Sequence, residues 1–280
     1  MSAVVLDGKA LAGKIKEGVA KESAALPRKP GLAVILVGDD PASSVYVRNK
    51  AKDCADCGFL CLDYHLPADT TEAELLTLIA KMNDAPAVDG ILVQLPLPRH
   101  LSEETAIRAI APEKDVDCFT SENVGAMVQG KARFLPCTPG GVMALLDEYG
   151  IDPAGKHCVV LGRSNIVGKP MAQLLLQRDA TVTICHSKTP DLAAECRRAD
   201  ILVSAVGRVG LVSAAMVKEG AVVVDVAMNR GADGKLCGDV LYSEVAEKAS
   251  YITPVPGGVG PLTRAQLMCN TLCASVARQK

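Results

Sequence analysis

Tyr46 and Lys50 stand four residues apart in a stretch whose pattern predicts a helix from about Val45 to Cys57. Both side chains therefore leave one helix face. A lysine whose pKa is lowered by burial or by a neighbouring cation can take and return protons. On spacing alone, a half-buried tyrosine beside a surface lysine is the favoured reading. Gln94 lies near the end of an apolar strand, in VQLPLP. The carboxyl ends of parallel strands line the crevice where ligands bind. Asp115 and Asp117 fall in the polar loop Glu113-Lys114-Asp115-Val116-Asp117-Cys118-Phe119. Either could accept hydrogen bonds from a ligand, cap a helix or face water, and the spacing does not choose between them.

A second set of residues suits phosphate. The strand HCVVLG runs into Gly162-Arg163-Ser164-Asn165-Ile166-Val167-Gly168-Lys169-Pro170, and an apolar MAQLLL follows. A glycine-bearing turn between strand and helix offers backbone N–H groups and the positive helix end to an anion. The glycines are not in the GxGxxG arrangement, so the turn alone is weak evidence. The next strand ends in Cys185-His186-Ser187-Lys188-Thr189. A site that prefers NAD usually carries an acid about 20 residues on, to bind the ribose 2′-hydroxyl. None stands here. Arg163 and Ser187 could instead hold a 2′-phosphate, which favours NADP.

No metal site is expected. His65, His100, His157 and His186 are dispersed, and the pair Cys54/Cys57 has no partner set for zinc. That CxxC lies inside the predicted helix, whereas a redox pair belongs at a helix N-terminus, where thiolate is stabilised. The eleven cysteines read as small buried hydrophobes in a reducing compartment, Cys269 and Cys273 included.

The elements that must position these residues alternate apolar runs with amphipathic stretches, the pattern of parallel α/β architecture. Strands are expected from Gly31, Phe59 and Gly90, then from His157, Ala180, Ile201, Ala221 and Tyr251. Helices are expected around Val45–Cys57 and Glu72–Asn83. The two series meet near PCTPGG, Pro136–Gly141. The reading is two α/β domains flanking a cleft, the second a Rossmann-like parallel sheet. The first domain spans 1–137 plus 265–280 and the second 138–264. The last stretch, from Thr263, is expected to be a helix returning to the first domain. At 280 residues, 49% hydrophobic and 22% charged, the chain reads as an ordinary globular protein. Its net charge of -2 and the lack of a basic tract argue against nucleic acid. The N-terminal stretch is soon charged, and neither a signal segment nor a membrane-length apolar run is read in it. The cytoplasm is the expected location, with no membrane partner.

Taken together, YVRNKAKDCADCGF, VQLPLP, EKDVDCF, PCTPGG, GRSNIVGKP, CHSKT and TPVPGGVGPLT resemble one family along essentially the whole chain. It is the bifunctional methylenetetrahydrofolate dehydrogenase/methenyltetrahydrofolate cyclohydrolase family, in its stand-alone, bacterial-type form. The resemblance implies NADP-dependent oxidation of a methylene-tetrahydrofolate, hydrolysis of the product, and a homodimer. It makes Lys50 the central cyclohydrolase residue, Tyr46 the ring packed on the folate, Gln94 a positioning group and Asp117 the acceptor for pterin donors. It gives Gly162, Arg163, Ser164, Ser187 and Met228 to the cofactor. It also lets the backbone of Pro256, Gly257, Gly258, Val259 and Gly260 approach the folate. There are three departures from the family pattern. Cys118 replaces a usual glycine, Ala227-Met228 a usual Gly-Ile and Leu262 a usual methionine. A dehydrogenase without hydrolysis, or a non-catalytic NADP-binding protein, are the competing readings, and the intact Tyr46, Lys50, Gln94 and Asp117 set argues against both.

Overall fold

The computed structural model describes residues 2–39 and 41–279, with the backbone alone over 41–46. In chain order come β1 (Val4–Val5), α1 (Gly8–Ala24), β2 (Gly31–Val37), α2 (Pro41–Asp56), β3 (Leu60–Leu66), α3 (Glu72–Asp84), β4 (Gly90–Val93), α4 (Glu103–Arg108) and α5 (Ser121–Val128). They are followed by α6 (Cys137–Glu148), β5 (His157–Leu161), α7 (Gly168–Leu176), β6 (Thr181–Cys185), α8 (Leu192–Arg197), β7 (Ile201–Ser204) and β8 (Val222–Asp225). A short hairpin, β9 (Asn229–Arg230) and β10 (Leu236–Cys237), precedes α9 (Tyr242–Ala246), β11 (Tyr251–Ile252) and α10 (Val259–Arg278).

The chain forms two compact units, one of residues 13–137 and 264–280, the other of residues 1–12 and 138–263. In the first, β2 is the middle strand of a parallel sheet ordered β3-β2-β4. Every residue of β2 and β4 is buried. Two apolar layers lie on β2, one containing Leu32, Val34 and Leu36, the other Ala33, Ile35 and Val37. A strand covered on both faces loses the polar alternation of a half-exposed one. Each such Val, Leu or Ile contributes about 1.5–3 kcal/mol by leaving water. Helix α10 belongs to this unit from residue 264 onward. The buried Asp89 holds its C-terminal end through Arg278, 3.3 Å away, and is bound bidentately by Arg28 at 2.6 and 2.7 Å.

The second unit carries a six-stranded parallel sheet ordered β1-β11-β8-β7-β5-β6. Counting from β5, the order is 2-1-3-4-5, a doubly wound arrangement whose switch point lies at β5 and β7. Residues 2–12 take part in this sheet because β1 pairs with β11, Val4 opposite Tyr251. A two-residue strand leaves no periodic signal, and the expectation had grouped these residues with the first domain.

The sequence reading gives no element to the stretch of α1, and it reads α6 as helix-like only after PCTPGG, over VMALLDEYG. PCTPGG does not interrupt the structure; from Cys137 it forms the first turns of α6. Proline is tolerated there because an N–H in the first turn has no helical partner to lose. Gly141 is required by packing, since a Cβ would stand 2.9 Å from that of Leu262. Helix α10 likewise starts at Val259, earlier than expected. Among the cysteines the expectation of burial fails at Cys273, which is exposed; Cys54, Cys57 and five others are buried. Burial pushes the Cys57 thiol up to about 11, and a hydrogen bond with Cys61 together with burial raises Cys54 further, so neither supplies a thiolate at neutral pH.

Candidate active site

Helix α2 presents Lys50 to the residue that follows β4. Gln94 extends the ladder by donating its N–H to Ile35 at 2.8 Å. Its side-chain Nε2 donates to the Leu95 carbonyl at 2.7 Å, which turns Oε1 toward Lys50. Lys50 Nζ donates to that oxygen at 2.9 Å. The side chain of Tyr46, one turn earlier, lies outside the described residues.

The loop after the 3-10 turn Pro112–Lys114 separates the two aspartates that the sequence left equivalent. Asp115 is buried and accepts from Phe119 N at 3.1 Å, Thr120 N at 2.8 Å and Asn123 Nδ2 at 2.9 Å. It organises the entry to α5. Asp117 interacts with Lys50 and with the Cys137 thiol at the start of α6. Burial lowers the Lys50 pKa and raises that of Asp117; in each case the other's opposite charge offsets part of the shift. A buried lysine and carboxylate with converging pKa values can pass protons at little cost.

Between Asp117 and α5, Cys118 adopts φ 62°, the left-handed region that a glycine takes freely. This explains the glycine usual in the family at that position. The cysteine keeps the conformation and is buried, its Sγ 3.4 Å from the Phe134 carbonyl. Sequence reasoning missed Cys137 and Arg264. Cys137 was visible inside PCTPGG, yet nothing local says that α6 would bring its thiol to Asp117. Arg264 sits on α10, far away in sequence, and is discussed below.

In the other unit, the strand–turn–helix from β5 to α7 forms where expected. Gly162 has φ +113°, and a Cβ there would run into the Ala205 carbonyl at the end of β7. A Cβ on Gly168 would strike the Gly162 carbonyl. Only glycines let the turn close this tightly at the switch point, the place where doubly wound sheets bind their ligands. Ser164 Oγ accepts from Val167 N and Gly168 N, both at 3.2 Å, and so caps α7. Arg163 and Ser187 are exposed, the latter just beyond β6 in a turn where His186 N donates to Thr189 Oγ1 at 2.9 Å. The residues therefore fit a 2′-phosphorylated dinucleotide. Met228, after β8, is 41% exposed, and its methyl would lie 2.9 Å from a Cβ on Gly260. Met228 and the stretch Pro256–Gly260 are thus neighbours. In that stretch Gly257 has φ +109°, Val259 is buried, and a Cβ on Gly258 would stand 2.6 Å from the Pro254 carbonyl.

Among the described residues no group of three His, Cys, Asp or Glu could hold a metal ion, and no helix is long and apolar enough to cross a membrane. The model of the tetrahydrofolate dehydrogenase/cyclohydrolase catalytic domain matches residues 6–117, and that of the NAD(P)-binding domain matches residues 136–279. A "Bifunctional protein FolD" of Ruminiclostridium cellulolyticum is 58% identical over 274 residues, 97% of this chain and 96% of its own. Another, of Acidiphilium cryptum, is 58% identical over 279 residues and 100% of both chains. The crystal structure of the bifunctional methylenetetrahydrofolate dehydrogenase/cyclohydrolase of Campylobacter jejuni superposes with a TM-score of 0.97 at 51% identity, covering 99% of this chain and 100% of that one. The Trypanosoma brucei enzyme, solved with NADP and an inhibitor, gives 0.95 at 42%, covering 99% and 98%. With two α/β units, one of them Rossmann-like, and full-length similarity on both, the chain belongs to the tetrahydrofolate dehydrogenase/cyclohydrolase family.

Proposed function

We propose that Lys50 is the proton-transfer residue of the two-step folate chemistry carried by this chain. The chain is a bifunctional, NADP-dependent enzyme of one-carbon metabolism. It oxidises 5,10-methylenetetrahydrofolate to the 5,10-methenyl form and hydrolyses that product to 10-formyltetrahydrofolate. The chemistry that NADP supplies when bound is acceptance of a hydride from the folate's methylene carbon. Placement is what the protein must add to that step, because folate nitrogen lone pairs stabilise the methenyl cation.

Hydrolysis needs proton transfers. Neutral Lys50 takes a proton from the water that attacks the methenyl carbon and returns it to N5 as the ring opens. The water's second proton leaves as the formyl carbonyl forms. The methenyl cation itself discourages protonation of a nearby lysine, so the first product helps prepare the base. The observation that carries this reading is the Lys50–Gln94 bond of 2.9 Å on a lysine whose charge is disfavoured by burial.

Around it, Tyr46 packs on the folate ring and Asp117 accepts hydrogen bonds from the pterin. The backbone of Pro256–Gly260 approaches the folate, and Gly162, Arg163, Ser164, Ser187 and Met228 hold NADP, with Arg163 and Ser187 on the 2′-phosphate. Folate chemistry is assigned to residues 1–137 plus 265–280 and NADP binding to 138–264, with β1 lending its strand to the latter sheet. A homodimer in the cytoplasm completes the reading; eleven free thiols suit a reducing compartment.

Lys50→Gln tests the assignment, because it keeps a polar group of similar reach that cannot act as a base. Hydrolysis of supplied methenyl-tetrahydrofolate should fall by about 10²–10⁴-fold. Dehydrogenase activity, followed as NADPH formation, should remain measurable. Wild-type hydrolysis in this variant would give the role to another residue.

A further inference from the structure

Arg264 reaches α2 from α10 and grips it on both sides of Lys50. Its Nη1 lies 3.4 Å from the Asn49 carbonyl, the residue before Lys50, and 2.9 Å from Asp53 Oδ2, three residues after it. Asp53 is only 2% exposed and is already matched on its other oxygen by Lys16 Nζ at 2.7 Å. Asp56, 3.6 Å from Lys16, is itself paired with Lys52 at 2.9 Å. Lys16, Asp53 and Arg264 therefore leave one positive charge uncancelled beside the turn that carries Lys50.

We infer that Arg264 is a positioning residue for the hydrolytic step: paired with Asp53 and set against the Asn49 carbonyl, it places a permanent positive charge beside the turn that carries Lys50, where it opposes a second one. The inference rests on Lys50 being the proton-transfer group. The charged or titratable groups facing Lys50 come from four elements. They are Asp117 in its loop, Cys137 on α6, Cys54 on α2 itself and Arg264 on α10. The two thiols are held protonated, so the charges that act on Lys50 are Asp117, which favours the ammonium form, and Arg264, which opposes it in concert with burial. Arginine suits the task because its guanidinium stays charged wherever a lysine titrates, and its fork can hold a carboxylate and a carbonyl together.

The test is the pH dependence of hydrolysis of supplied methenyl-tetrahydrofolate, corrected for the uncatalysed reaction. The acid-side midpoint marks loss of neutral Lys50. Arg264→Met removes the cation and should move that midpoint up by about half to one pH unit, which below it is a loss of roughly three- to tenfold. Arg264→Lys should restore it. Asp53→Asn removes the anion, leaves both cations and should move the midpoint down. A purely structural clamp would lower the plateau rate in the variants and leave the midpoint in place, and that result overturns the inference. If Arg264→Met fails to fold, Asp53→Asn decides alone: a midpoint that rises or stays overturns it. Lys50→Gln separates the two proposals. Wild-type hydrolysis in that variant sinks the base assignment, whereas a dead Lys50→Gln with an unmoved Arg264→Met midpoint sinks only the role of Arg264.

Discussion

Among single residues, Arg163 and Cys118 are legible to different degrees. Arg163 was chosen because the strand after the phosphate turn ends without an acid, and its exposure beside Gly162 leaves it free to meet a charged ligand. Arg163→Ala should weaken NADP by roughly 1.5–3 kcal/mol, about ten- to a hundredfold, and NAD far less. Titrating both cofactors against both proteins decides it; equal losses would refute contact with the 2′-phosphate. At Cys118, sequence comparison signalled a departure and only the backbone gives its meaning, a φ of 62°. A non-glycine residue there is strained by about 1–2 kcal/mol, while glycine adds freedom to the unfolded chain worth about 0.5–1 kcal/mol. Cys118→Gly should therefore leave stability within about 1 kcal/mol and preserve both activities. A loss of several kcal/mol in chemical denaturation would mean that the buried thiol matters more than the backbone. The roles of Asp115 and Asp117 could not be told apart by spacing. Three hydrogen bonds to Asp115 engage it in its own loop and leave Asp117 for Lys50.

Among elements, the parallel strands were legible because burial on both faces writes uninterrupted apolar runs, as in GLAVILV and HCVVL. The N-terminal turns of α6 were hidden by Pro139 and two glycines, whose local preferences are overridden by packing on Leu262. The loops at the carboxyl ends of β7 and β8 are organised by two buried carboxylates that spacing does not single out. Asp239 accepts from Val206 N, Gly207 N and Arg208 N at 2.9, 3.2 and 2.6 Å. Asp225 accepts from Val240 N at 2.8 Å and Ala227 N at 3.1 Å, and Gly238 has no Cβ because one would collide with it. Burial pushes Asp225 up to about 6. In the unfolded chain an aspartate titrates near pH 3.9, so the folded state holds this proton more tightly. The resulting stabilisation is complete below about pH 4 and is lost as pH rises through 6, a swing on the order of 3 kcal/mol. Asp225→Asn cannot titrate. Its Tm relative to wild type should therefore climb by several degrees between pH 4 and 7, whatever constant penalty its amide brings. A difference that is flat across that range would contradict the assigned shift.

For the molecule as a whole, the return of the last helix was legible and the loan of the first strand was not. Residues 264–280 are tied to residues 13–137 by Asn270, which donates to the carbonyls of Val116 and Leu135, and by Arg278 on Asp89. Such long-range polar ties have no period in sequence. Because each unit has its own core, each also has its own set of enclosed thiols. Cys158, Cys185, Cys196 and Cys237 belong to one, the other seven to the second, and of all eleven only Cys273 is exposed. The distribution makes the chain a built-in recorder of its own breathing. An alkylating reagent should mark Cys273 at once and reach a buried thiol only during an opening of its surroundings. Mapping adducts over time by mass spectrometry should then return two opening clocks rather than one, with Cys158, Cys185 and Cys196 modified as a group. Labelling of Cys158 as fast as Cys273 would show that its core is open to reagent without any such event.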